Sequence, residues 1–186
     1  PGFIGNWEIL LCSEFPIANR DIQILRLGPL PASRCLERWL EEVTGKQVLI
    51  TEGDPRKLDP LKVSIQWSGG LENWWQRLVE EEFIEEKIYK YKSNELFEEL
   101  KKKDQLADTF LDLNLPCEGP ISEPALARWL PRLLPADLPI MLAASSPVRD
   151  WLSFAGVDAF RRRCYGFRGA SGIDGTLSLG MGLAMA

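Results

Sequence analysis

Residues 166–175 read Gly-Phe-Arg-Gly-Ala-Ser-Gly-Ile-Asp-Gly, with Gly169, Gly172 and Gly175 three apart. Arg168 stands just before this spaced set and Asp174 inside it. Glycine tolerates positive φ and lets a ligand approach bare backbone. Residues 161–167 upstream read as a strand, and residues 176–186 downstream as a helix. A strand, a glycine turn and a helix N-terminus together turn backbone N–H groups toward an anion or a polar ring. A companion stretch, Ala-Ala-Ser-Ser-Pro-Val-Arg-Asp at residues 143–150, also follows an apolar strand and opens a helix. It adds Ser145, Ser146 and Arg149 to the groups that could meet a ligand.

Several chemistries are excluded at once. The chain has no histidine, which removes His-ligated zinc, a Ser-His-Asp triad and a Cys-His dyad. Cys12, Cys35, Cys117 and Cys164 are scattered with no CxxC spacing, and read as buried thiols in a reducing cytosol. A net charge of −5 argues against a nucleic-acid partner. No apolar run reaches the length of a membrane span and no signal peptide is visible, so a cytoplasmic location is expected. The 186 residues begin at Pro1 and suffice for one or two domains with a real core.

The elements that must position these groups alternate. Residues 3–12 have helical apolar spacing. Residues 21–27 (DIQILRL) read as a buried strand, 32–43 as a helix closed by Gly45, and 47–51 (QVLIT) as the next strand. This is a βαβ pattern on a parallel sheet. Residues 52–60 form a turn-rich loop, 63–67 a short edge strand, and 71–78 and 83–103 charged helices with solvated faces. Residues 113–120 (LNLPCEGP) read as a linker. Ser122 caps a helix running to Leu134; a strand at 140–144 and a helix at 147–154, with Ser146 as N-cap, precede the glycine run. The expected fold is α/β, in three-layer α/β/α pieces, with parallel strands at 21–27, 47–51, 140–144 and 162–167.

With these residues in view, the chain resembles the 2-succinyl-5-enolpyruvyl-6-hydroxy-3-cyclohexene-1-carboxylate synthases, a thiamine-diphosphate-dependent family. Members carry a Ser-x-Pro-Val-Arg-Asp segment followed by Arg-Gly-Ala-(Ser/Asn)-Gly-Ile-Asp-Gly, as at residues 145–150 and 168–175 here. Leu-Gly-Pro-Leu-Pro-Ala-Ser-Arg at 27–34 and Leu-Asp-Pro at 58–60 are similar to the family's central domain. Phe167 and Ser33 depart from the usual family residues. The resemblance implies residues 1–112 as the later part of a central α/β domain, 113–121 as linker, and 122–186 as the opening of a diphosphate-binding domain. It places the family's catalytic glutamate and its Gly-Asp-Gly…Asn magnesium motif outside these residues. The chain alone is therefore expected to be inactive, with no catalytic residue and no metal ligand of its own.

The resemblance further implies a transferase that decarboxylates 2-oxoglutarate and joins the remainder to isochorismate, in menaquinone or phylloquinone biosynthesis. Its cofactors would be thiamine diphosphate and Mg2+, and the full-length protein would be a homo-oligomer. Two dicarboxylate substrates call for guanidinium forks. Arg34, Arg149 and Arg168 match family positions facing substrate, and Ser145 a substrate-contacting serine. Gly172 would offer backbone to the aminopyrimidine, and Ile173 would prop the bent cofactor. Plainer roles stand beside these: Arg34 paired with Glu37 or Glu41, Arg149 paired with Asp150, Arg168 as a turn residue, Ile173 as a buried turn residue. Two other readings are an acetolactate-type thiamine enzyme and a non-catalytic dicarboxylate-binding module.

Overall fold

A computed structural model describes residues 3–13, 22–53, 65–80, 94–166 and 174–186. The chain divides into two compact units, one of Glu14–Phe97 and one of Pro1–Ser13 with Glu98–Ala186. Both are α/β with parallel strands flanked by helices.

In the unit Glu14–Phe97, β1 (Ile24–Leu27), α2 (Arg34–Glu42) and β2 (Gln47–Ile50) form the expected βαβ unit, following α1 (Trp7–Cys12) of the other unit. β3 (Ile65–Trp67) completes a sheet of order β1-β2-β3, parallel throughout, with Leu27 opposite Ile50 and Ile50 opposite Trp67. β2 is central, and its Leu49 and Ile50 are buried with Leu40 and Val43. The Gln47 side-chain amide donates to the Leu40 carbonyl at 2.8 Å and so joins α2 to the sheet. β1 is not the buried strand its composition predicts. It is an edge strand with Leu25 and Leu27 at 48% and 60% exposure, while Arg26 between them is 9% exposed. Period-two alternation has turned the charged residue inward and the leucines out.

Gly45 does not close α2 in a left-handed turn. The helix ends at Glu42, with Val43 extended as its C-cap. Gly45 lies against the backbone of Ile22, where a Cβ would come 1.9 Å from the Ile22 carbonyl oxygen. After β3, α3 (Leu71–Glu80) starts beneath Glu52, whose carboxylate accepts the Leu71 N–H at 3.0 Å. That places negative charge at the helix N-terminus.

The other unit is built on α4 (Asn94–Asn114), which runs beyond the 103 predicted from charge patterning. Asp104, Asp108 and Asp112 recur every four residues and share one face. Asp104 accepts the backbone N–H of Gly5 at 3.2 Å and of Asn6 at 2.7 Å, at the start of α1. Asp108 and Asp112 take the guanidinium of Arg128, which lies fully buried on α5 (Glu123–Leu133). Arg132, one turn on, bridges Asp112 at 2.8 Å and Asp158 at 2.9 Å. Ser122 caps α5 as predicted, accepting the Ala125 N–H at 3.3 Å. The stretch 113–121 lies within this unit.

β4 (Ile140–Leu142), α6 (Ser146–Phe154), a 3-10 turn (Val157–Arg161) and β5 (Cys164–Gly166) follow, and α7 (Thr176–Met185) ends the chain. β4 and β5 are parallel neighbours, with Leu142 opposite Gly166. Trp151 of α6 packs on Ile140 and Ala155, with Leu130, Leu134 and Leu142 around them. β5 is shorter than the predicted strand because Arg162 leaves the ladder. Its guanidinium donates to the carbonyls of Pro131, Leu134 and Pro135, closing the C-terminal end of α5. Cys117 and Cys164 are exposed, not buried as composition suggested. Among the described residues, no helix is long and apolar enough to cross a membrane.

Asp112 gives this unit an acid limit. Burial alone would raise its carboxyl. Hydrogen bonds and charge from Arg128 and Arg132 outweigh that and hold it below its ordinary value of 3.8. A lowered folded-state pKa contributes stability that is complete above the ordinary value and lost as pH falls through the lowered one. Stability should therefore fall with acidification below about pH 4, and Asp112→Asn should flatten that dependence. Urea midpoints measured from pH 6 to pH 2.5 check this; an unchanged slope in the variant refutes it.

Candidate functional site

β4 and β5 end side by side, since Leu142 and Gly166 are register partners. The chain thus leaves both strands at one end of the sheet, the end at which open parallel sheets hold ligands. Beside it lies a cavity of about 360 Å³, walled by Met141, Tyr165, Gly166, Leu179, Gly182 and Leu183. Among these lining residues only Tyr165 has a polar side-chain group.

The connection from β4 into α6 carries the unusual backbone. Ser145 has φ 79° and ψ −124° and is the one non-glycine residue of positive φ among the described residues. Such a conformation is close to glycine-only territory, and strain of this kind collects at ligand sites. Ser145, not Ser146, is the N-cap residue, and its side chain caps no backbone N–H. Its Oγ instead accepts from Nη2 of Arg149 at 3.3 Å. Both residues are exposed, and among the described residues Arg149 forms no ion pair with Asp150. A hydroxyl, a guanidinium and the free N–H groups of the first turn of α6 are all donors. With no carboxylate ion-paired to Arg149 among the described residues, the arrangement suits an anionic oxygen ligand.

Two predicted site residues, Ser145 and Arg149, are thus brought together. Arg34 is the first residue of α2 in the other unit, exposed, and forms no ion pair with Glu37 or Glu41 among the described residues. The neighbouring Ser33 is a buried N-cap, accepting the Leu36 N–H at 2.9 Å. Arg168, Gly172 and Ile173 lie outside the described residues. Asp174 lies in the turn before α7, whose N-cap residue is Gly175.

Sequence reasoning missed the groups behind the site. Arg128 joins α4 to the far end of α6, where its Nη1 reaches the Phe154 carbonyl at 3.4 Å. The signal was available: three aspartates spaced by four, followed by Arg128 and Arg132 spaced by four.

The strain at Ser145 is measurable. Ser145→Gly should raise stability by about 1 kcal/mol, since relief of 1–3 kcal/mol is offset by the greater chain entropy of glycine. The check is a thermal or urea midpoint; a lowered midpoint would mean that the backbone is not strained.

Fold and site together define an α/β segment in which hydrogen-bond donors gather at a strand-to-helix turn at the carboxyl end of a parallel sheet. No protein-family model matches the chain. Curated relatives narrow the class further. Over all 186 residues it is 54% identical to 2-succinyl-5-enolpyruvyl-6-hydroxy-3-cyclohexene-1-carboxylate synthase of Prochlorococcus marinus (strain MIT 9313), of which it covers 32%. It is 52% identical over 185 residues to the synthase of the same name from Parasynechococcus marenigrum (strain WH8102), again covering 32%. That of Synechococcus sp. (strain CC9311) is 50% identical over 187 residues. The chain is related to these synthases along its whole length and spans about a third of theirs.

Proposed function

We propose that the full-length protein is a thiamine-diphosphate-dependent transferase. It would decarboxylate 2-oxoglutarate and add the succinyl-semialdehyde unit to isochorismate, giving the product for which the relatives are named. The observation that carries this reading is the 54% identity over the entire chain to such a synthase. The geometry supports it: Ser145 and Arg149 form a donor site at the start of α6, as carboxylate substrates require. We assign substrate carboxylates to Arg34, Arg149 and Arg168, with Ser145 as a second donor beside Arg149. Residues 1–112 would belong to a central domain, 113–121 to the passage between domains, and 122–186 to a diphosphate-binding domain. The whole would be cytoplasmic and homo-oligomeric, in menaquinone or phylloquinone biosynthesis.

Thiamine diphosphate, held with Mg2+, would supply the electron sink for decarboxylation of a 2-oxo acid. Gly172 and Ile173, which lie outside the described residues, are the residues assigned to hold it. Arg149 and Ser145 would hold and orient a substrate carboxylate.

The test uses the full-length protein, because the catalytic glutamate and the magnesium motif are assigned to parts outside these residues. With thiamine diphosphate, Mg2+, 2-oxoglutarate and isochorismate, carbon dioxide release should be matched by formation of the carboligated product. Turnover of pyruvate in preference to 2-oxoglutarate would favour the acetolactate-type reading. Binding of dicarboxylates without turnover would favour a non-catalytic module.

A further inference from the structure

The helix bearing Ser145 and Arg149 is held at its opposite end by a residue that touches neither of them. Arg128 is 0% exposed and is the largest of the fully buried side chains. Its Nε donates to Asp112 at 2.8 Å, and its Nη2 to the side chain of Asp108 and, at 3.2 Å, to the Asp108 carbonyl. Its Nη1 faces the other way, to the Phe154 carbonyl and the Asn6 Oδ1, both at 3.4 Å. Phe154 is the last residue of α6. One planar fork thus ties two turns of α4 to the C-terminus of α6 and to the N-cap of α1. The chain then reverses at Gly156, whose φ is 70° and whose missing Cβ would lie 2.6 Å from Nη1 of Arg128. The backbone has been drawn in until only glycine fits against the guanidinium.

We propose that Arg128 is a positioning residue for the donor site at the other end of α6. This rests on the reading of Ser145 and Arg149 as a carboxylate site. The lever is short and stiff. Nine residues at 1.5 Å rise give roughly 13 Å from Phe154 to Ser145, so a tilt of about 5° moves the site by about 1 Å. A displacement of about that size takes a charge-assisted hydrogen bond from its usual length of about 2.7–2.9 Å out of bonding range and so weakens carboxylate binding. Ser145 makes the site sensitive to such a shift, because its strained backbone needs the surrounding structure to hold it. A lysine at 128 keeps one charge beside the aspartates but has no second arm for Phe154.

The experiment is a double-mutant cycle in the full-length protein, with Arg128→Lys and Arg149→Ala alone and combined. Each substrate is varied in turn against a saturating partner. Arg128→Lys should raise KM about 10-fold for the substrate whose KM responds to Arg149→Ala, with kcat and the other substrate's KM little changed. On the Arg149→Ala background it should add less than about twofold. Gly156→Ala presses on the same guanidinium from the α6 side and should shift the same KM in the same direction. It serves if Arg128→Lys does not fold. Loss of kcat for both substrates with both KM values unchanged means that Arg128 only holds the fold, and overturns the proposal. So does an equal effect of Arg128→Lys with and without Arg149. A silent Arg149→Ala overturns the carboxylate reading of the site, and this proposal with it. An effective Arg149→Ala beside additive Arg128→Lys overturns this proposal alone.

Discussion

Arg149→Ala in the full-length protein should lower kcat/KM for one dicarboxylate substrate by about 10- to 100-fold, with the protein still folded. A charge-assisted hydrogen bond in a partly desolvated site is worth about 1.5–3 kcal/mol, and that difference sets the factor. The fold should tolerate the change. Arg149 is exposed and its one hydrogen bond to another described residue's side chain is to Ser145 Oγ. Truncation therefore leaves no buried group without a partner. Arg149→Lys should recover only part of the loss, because an ammonium keeps the charge and loses the two-armed fork. Arg168→Ala should act similarly if the pair of motifs forms one site. Steady-state kinetics with each substrate varied separately provide the check. Unchanged efficiency for both substrates would make Arg149 a surface residue of α6 and remove its substrate assignment.

The alternation that carries the fold was plain in the chain. Apolar runs at 47–51 and 140–144 sit between helical periods, and both became parallel strands because helices return the chain to the same sheet edge direction. The α6 start was legible as well, since Ser-Ser-Pro announces a helix. Which serine sits outside the helix was not legible, because Ser145 takes a backbone conformation that sequence preference disfavours. Arg128 was hidden for another reason. An arginine on a helix reads as solvated, and its burial depends on aspartates contributed from a helix turn 16 and 20 residues earlier. Arg26 inverted its neighbours similarly: composition marks the strand, but the inward face follows from how β1 meets β2.

Gly45→Ala tests the sharpest of these local misreadings, and the expected sign is opposite to the usual one. At an unstrained position, replacing glycine by alanine stabilises by about 0.4–1 kcal/mol through the unfolded chain. As a helix stop without positive φ, Gly45 would fall under that rule. The structure places it elsewhere. A Cβ there would lie 1.9 Å from the carbonyl oxygen and 2.5 Å from the carbonyl carbon of Ile22. These are backbone atoms, so no rotamer change can relieve the overlap. Ile22 cannot retreat freely either, because the Ile24 N–H donates to the Lys46 carbonyl at 2.9 Å and pins the start of β1 beside the chain that carries Gly45. Relief requires β1 to shift against β2. Overpacking of this kind costs about 1–3 kcal/mol, and losing the pinning hydrogen bond adds about 1 kcal/mol. Gly45→Ala should therefore destabilise by roughly 3 kcal/mol, a large share of the stability of a domain this size. Equilibrium urea denaturation, followed by tryptophan fluorescence, reads the effect as a lowered midpoint at similar slope. A midpoint that holds or rises would show that Ile22 does not approach Gly45 in the folded chain, and that β1 begins differently from the pairing described here.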